Sequence, residues 1–243
     1  MKLFLASCTL FFGIFANSQT NGKITYNVTF ERNTVLDDKP IPVKTNPPYI
    51  ENSTKQPTIF FLWFNGDKAL FEAEYDLPTK RQKGFTFDRT AMAAMHERTY
   101  YYDSSLNQGF FQSFFLKEYL VSFDDVHWVY TNETKEIGGY TCYKAVTEIK
   151  TEQIKGFMNY TKPIEAWYTP EIPVHFGVQL FNGLPGLTME LTAGHKDGTV
   201  TYHATTIELG GMDAIIIDRP KGDKTISYED YPKRFHERYK NRF

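Results

Sequence analysis

At 243 residues, with 21 Phe and 16 Tyr bringing aromatic content to 16%, the chain has enough apolar material for one substantial core and favours strands over helices. Its 27 basic and 29 acidic residues nearly cancel, which excludes a chain-wide field that would draw the protein onto nucleic acid or an anionic membrane. Neither a Gly-x-Ser-x-Gly elbow nor a Walker or dinucleotide glycine loop occurs, so the commonest hydrolase and nucleotide chemistries are disfavoured.

Met1 and Lys2 precede a short apolar run over 3–16, followed by Ala16, Asn17 and Ser18. This pattern predicts a signal peptide over 1–18 and one β-rich domain over 19–243, exported to the periplasm or the periphery of the outer membrane. The run is too short to span a bilayer, and no transmembrane segment is predicted in the mature chain. Removal of Cys8 with the signal leaves Cys142 alone, so no intramolecular disulfide is expected, and Cys142 reads as a small buried hydrophobe.

Ile24, Tyr26, Val28 and Phe30 alternate with polar residues and predict a first strand with one buried face. A loop or lid is expected over 34–57, where Pro40, Pro42, Pro47, Pro48 and Pro57 oppose regular hydrogen bonding. The apolar run 59–64 reads as a strand buried on both faces, turning at Asn65-Gly66-Asp67 into an alternating strand 68–75. A basic stretch 78–84 and a short helix over 89–98 follow. Strands are expected at 100–103, 110–123 and 126–130, with 132–139 as a turn leading into 140–149, and another strand at 165–169.

In Asn182-Gly183-Leu184-Pro185-Gly186-Leu187, Pro185 and Gly186 suit the central positions of a type II turn, where φ of about −65° is followed by a positive φ. The alternation beyond it places Leu187, Met189, Leu191 and Ala193 on one face. A two-residue hairpin loop at Asp197-Gly198, pairing Lys196 with Thr199, or a four-residue loop of equal parity, puts Val200, Tyr202 and Ala204 on that same face. A last strand is expected at 214–217. The segment 227–243, with Ser227 as N-cap and Glu229 and Asp230 in the first turn, reads as a helix within a basic C-terminal tail 219–243. The fold class is mainly β: a single antiparallel, strongly curved sheet, half-barrel or open barrel, with a short C-terminal helix. A two-sheet β-sandwich is the alternative.

The chemistry-bearing residues form no catalytic pattern. Glu72 and Glu74 share a strand face opposite an apolar one and read as solvent-facing, while Asp124-Asp125 and Glu229-Asp230 are further acid pairs. His127, His175, His195, His203 and Cys142 lack metal-ligand spacing, and the hairpin register puts His195 and His203 on opposite faces. His96 and His236 have no spacing partner either. Trp63, Trp128 and Trp167 read as core. A curled sheet this rich in aromatics could instead enclose an apolar cavity.

Gly183-Leu184-Pro185-Gly186-Leu187, joined to Gly138-Gly139-Tyr140-Thr141-Cys142 and to Trp167-Tyr168-Thr169-Pro170-Glu171-Ile172-Pro173, resembles the GLPGLI family of exported envelope proteins from Gram-negative bacteria. Thr188 departs from the isoleucine that ends the family's name motif, a change that keeps a β-branched residue at a strand position. The resemblance implies an exported β-rich protein of undefined activity, partnered with an outer-membrane transporter. The strand pattern is also similar, at fold level only, to the half-barrel of periplasmic lipoprotein carriers. The reading that follows is a non-catalytic periplasmic protein that binds a partner or an apolar ligand, without cofactor, metal or nucleic acid. The alternative is an envelope hydrolase or metal-dependent enzyme whose site is assembled from distant residues.

Overall fold

A computed structural model describes residues 21–32, 58–74, 89–95, 97–124, 126–147, 163–195, 198–211 and 215–240. The expected signal peptide, the 34–57 loop, the basic stretch 78–84, His96, Asp125 and the loop residues 196–197 lie outside the described residues.

Twelve strands form one open sheet: β1 (Asn21–Arg32), β2 (Thr58–Asn65), β3 (Lys68–Ala73), β4 (Arg98–Asp103), β5 (Gln108–Ser113), β6 (Tyr119–Phe123), β7 (Val129–Ile137), β8 (Tyr140–Thr147), β9 (Ile164–Thr169), β10 (Leu187–His195), β11 (Gly198–Leu209) and β12 (Lys224–Ser227). Their order is β12-β6-β5-β4-β3-β2-β1-β11-β10-β9-β8-β7. Two antiparallel meanders, β1 to β6 and β7 to β11, are stitched together by the long β1–β11 ladder, from Gly22 opposite Leu209 to Arg32 opposite Gly198. The sheet is mixed rather than purely antiparallel because β12 returns to pair parallel with β6. It does not close into a barrel, and β12 and β7 are its edges.

Alternation sets the two faces. Ile24, Tyr26 and Val28 of β1, Phe60, Leu62 and Phe64 of β2, and Val200, Tyr202 and Ala204 of β11 are buried, while the residues between them are half-buried or exposed. The rings interlock: Phe60 stacks on Phe71 at 5.1 Å, and Tyr26 and Tyr202 meet Phe71 edge-on at 5.9 and 6.1 Å. Three covers lie over this face. The segment 170–186 and the short helix α1 (Arg89–Ala93) with Ala94 fill the middle, and the helix α2 (Tyr231–Tyr239) seals the β5 end, with Tyr231 5.1 Å from Phe111. On the opposite face a smaller cluster of Tyr101, Phe110, Leu120 and Ile217 lies under the strap 215–217, which is tied down by Asn65 Nδ2 donating to the Ile215 carbonyl at 2.8 Å.

Several expectations are corrected. β2 is not buried on both faces, since Phe61 and Trp63 stay half-buried beneath the Lys23 ammonium at 4.3 and 4.8 Å. The run 110–123 divides into β5, a 3-10 turn at Phe114–Leu116 and β6. Residues 132–137 belong to β7; the turn is only Gly138-Gly139, with φ of 58° and 84°, the doubly positive pair a tight hairpin requires. Ile215 to Ile217 form a strap rather than a strand, and the last strand is β12. The C-terminal helix starts at Tyr231, with Asp230 as N-cap and Pro232 in its first turn, no acid in that turn, and Ser227 bonding Asp230 in the turn before it. The 219–240 stretch adds β12 to the sheet and α2 against its β5 end.

Candidate functional site

The three motif stretches, far apart in sequence, come together on β8, β9 and β10. Trp167 stands opposite Lys144 and Glu190, and Tyr168 opposite Tyr143 and Thr188. The Thr141 amide donates to the Glu171 carboxylate at 3.0 Å, joining the β7–β8 hairpin to the segment beyond Pro170.

The turn 183–187 departs from expectation in a specific way. Gly183, not Gly186, carries the positive φ, at 87°. Gly186 is required for a different reason: a Cβ there would lie 2.1 Å from the Thr169 carbonyl oxygen. Pro185-Gly186 is thus not a type II turn but a close backbone approach. Beyond it a bulge inserts Met189, so Thr188 rather than Met189 stands opposite Tyr168, and Leu187 stands opposite Thr169. The β10–β11 register also differs, with His195 opposite Gly198 in place of Lys196 opposite Thr199; both are two-residue loops, so Val200, Tyr202 and Ala204 keep the expected face. His195 packs against Phe30, and His203 lies across the sheet against Glu190.

Residues 172–184 form a plug. Ile172, Val174, Phe176, Val178, Leu180, Phe181 and Leu184 are all buried, with Phe176 against Phe64 and Tyr102 at 5.8 and 6.4 Å. The polar groups this plug takes out of water find partners. The Trp128 indole donates to the Asn182 carbonyl at 2.8 Å, the Asn182 side chain accepts from the Gly177 amide at 3.0 Å, and His175 Nδ1 lies 3.1 Å from the Leu184 carbonyl. Tyr26 donates to the Thr188 carbonyl at 2.6 Å, and Gln179 bonds both Tyr202 and the Ala94 carbonyl. The face that an apolar cavity would have needed is packed with side chains.

Two arrangements remain at the surface. On the uncovered face, Lys135 lies over the Trp167 ring at 4.4 Å and pairs with Glu190 at 2.7 Å; His203 Nδ1 stands 3.2 Å from the same carboxylate. Lys144 contacts Glu165 and Glu133 at 3.1 and 3.2 Å, and the hydrogen bond to Glu165 holds its ammonium above the ordinary value. Trp167 is therefore half-buried, packed against the core and capped by a ladder of matched charges. Beside the free edge β7, Tyr130 and Tyr143 flank Tyr168, each ring centroid 6.1 Å from it, and are 55% and 39% exposed, next to the exposed Val129. Alternation alone could not reveal this trio, because β7 carries an irregularity between Tyr130 and Thr134 that shifts its register.

Sequence reasoning also missed Arg98. It is fully buried, its guanidinium 4.7 Å from the Phe111 ring and 5.3 Å from Tyr231, with Nε donating to Glu97 at 3.2 Å. Burial works to lower its pKa, but Tyr100, Glu97, Tyr231 and Tyr228 outweigh it and hold the cation above its usual value. A single Arg at a strand start gives no local signal of such a box.

Cys142 is buried and burial pushes its thiol up to about 11, away from thiolate chemistry. Glu72 is half-buried rather than solvent-facing, and burial raises its pKa. Among the described residues no three His, Cys, Asp or Glu side chains cluster closely enough to hold a metal ion, and no helix is long and apolar enough to cross a membrane.

A family model described as "Protein of unknown function (Porph_ging)" matches residues 155–190, the stretch from before β9 into β10. No curated protein sequence matches the chain. Two solved structures of PNGF-II, in the P21 and C2 space groups, superpose with TM-scores of 0.52 and 0.50 at 19% and 18% identity, over 89% of this chain. They match across 34% and 33% of their own length, so the chain spans about a third of those proteins. The lipoprotein LppX of Mycobacterium tuberculosis aligns over 82% of this chain and 90% of its own at 9% identity, with a TM-score of 0.31. At such identities the PNGF-II likeness speaks to the fold alone.

Proposed function

We propose that this is a GLPGLI-type exported envelope protein, a single domain over 19–243, that acts without catalysis by binding a partner protein at its surface. One observation carries the choice of surface over interior: the plug 172–184 occupies the face where an enclosed apolar ligand would sit. The exposed Tyr130 and Tyr143, both packed on the buried Tyr168 beside the open edge β7, supply rigid aromatic area with polar tips, the chemistry enriched where protein surfaces meet. The Porph_ging match over residues 155–190 is compatible with an envelope family of this kind, and the partner we propose, from the motif resemblance alone, is an outer-membrane transporter.

The test is photo-crosslinking in cells from positions 130 and 143, with the buried position 26 as control, alongside titration of the purified protein with a fluorescent fatty acid. Discrete envelope adducts from 130 and 143 only, and no saturable one-to-one uptake of the fatty acid, are expected. Stoichiometric uptake without adducts would overturn the reading in favour of an internal ligand.

A further inference from the structure

The corner where the 3-10 turn Phe114–Leu116 meets the C-terminal end of α2 is aromatic and exposed. Phe114 and Phe115 are 55% and 37% exposed, and they touch edge-to-face at 5.9 Å. The corner is built rigidly. The Ser113 hydroxyl accepts from the Phe115 amide at 3.3 Å, the Phe115 ring packs edge-on against Phe235 and Tyr239 at 5.9 and 6.2 Å, and the Tyr239 hydroxyl donates to the Phe115 carbonyl at 3.0 Å. Nothing described covers the outer side of Phe114 except the Lys117 ammonium, 4.3 Å from its ring centre.

Charge decides what fits there. Most acids around the corner are matched: Glu118 by Arg238, Glu237 by Arg234, Asp230 by Lys233 and Glu97 by Arg98, while Asp223 stands in sequence between Lys221 and Lys224, in the segment that Gln112 ties to the Lys117 carbonyl. Lys117 and Lys240 have no carboxylate partner among the described residues, and the exposed Glu229 sits at the far end of a nine-residue helix, about 13 Å along its axis. A corner with a net positive rim and two projecting phenyl rings therefore stands on a chain whose total charge is only −2. Phenyl rings enter the boundary between headgroups and acyl chains, and cations beside them meet lipid phosphates at the same depth.

We propose that this corner is a shallow attachment site for an anionic lipid surface, with Phe114 and Phe115 inserting and Lys117 and Lys240 meeting the phosphates. It is independent of the partner-binding reading, since vesicles carry no protein. The experiment is co-sedimentation of the purified protein with vesicles of phosphatidylcholine alone and of an equal mixture with phosphatidylglycerol. Binding to the mixed vesicles, weakened by high salt, is expected; Phe114→Ser and Lys117→Glu should each reduce it about tenfold, while Phe114→Trp retains it. The Phe114 ring touches Phe115 and Lys117 at the surface, so a normal unfolding transition for these variants separates lost binding from lost fold. No sedimentation of the unsubstituted protein would overturn the proposal, as would binding that Phe114→Ser leaves intact. A concentration-dependent dimer that Phe114→Ser dissolves, without vesicle binding, would reassign the corner to contact between copies.

Discussion

Two glycines four residues or fewer from Leu187 illustrate how one motif can need the same residue for unrelated reasons. At Gly183 the backbone sits at φ 87° with nothing within 4 Å of a would-be Cβ, so Gly183→Ala costs only conformational strain, about 1 kcal/mol. At Gly186 the new methyl would meet Thr169's backbone, and the strand or the plug must move; the cost is expected at about 3 kcal/mol or more. Urea unfolding of the two variants should show that order, and a reversed order would contradict the close-approach account. Asp103 offers a test by pH. The Ser105 hydroxyl, opposed by burial and aided by the Leu106 and Ser105 amides, holds its carboxyl below the usual 3.8. A depressed folded pKa means the stabilisation is present above the unfolded value and is lost as pH falls through the folded one. The unfolding midpoint should therefore drop in acid, and drop less in Asp103→Asn; equal acid sensitivity in both proteins would exclude Asp103 as a contributor.

At the scale of elements, the C-terminal 224–239 stretch is held by a buried cation. Tyr228 and Tyr231, which flank β12 and open α2, surround Arg98 at the start of β4, so the guanidinium fastens the end of the chain to the first meander. Removing a buried charge while leaving its phenol and carboxylate partners in place is costly, and Arg98→Ala should lose about 3–5 kcal/mol. Because β12 is a four-residue edge strand, the loss should appear first there: amide exchange across Lys224–Tyr239 should accelerate before that of β1 to β3. Uniform acceleration across the sheet would show that Arg98 supports the whole core and is no latch. Deleting residues 219 to 243 would also remove the parallel β12–β6 pairing and uncover Phe111 and the Arg98 box.

Over the whole molecule, an open twelve-stranded sheet must dispose of two faces and two edges. One face is closed by the plug, α1 and α2, and the other by a short strap over β2 to β5 and by matched charges around Trp167. The β7 edge carries Glu133, Lys135 and Glu136 and an irregular register, features that discourage a second sheet from adding to it. Besides the single aliphatic residues Leu106 and Ile216, the large apolar side chains left exposed among the described residues fall in two small patches: Val129, Tyr130 and Tyr143 near β7 and the phenylalanine corner near β12, at opposite ends of the strand order. Partner crosslinks from positions 130 and 143, and vesicle binding through Phe114, therefore test separate surfaces, and either result can stand without the other.

Local chemistry by itself determined the β class, the alternating strands 24–30 and 68–73, the Gly66 reversal and the shared face of Leu191, Ala193, Val200 and Tyr202. Each of these follows from a period-two pattern or from a backbone angle that only certain residues tolerate. Tertiary structure alone decided the rest. The bulge at Met189 depends on how β9 and β10 pair, the plug on which loop can fill the aromatic face, and the Arg98 box on a return of the chain end across more than a hundred residues. Contacts of that range leave no mark on neighbouring residues, because burial is paid for collectively by groups that no single stretch contains.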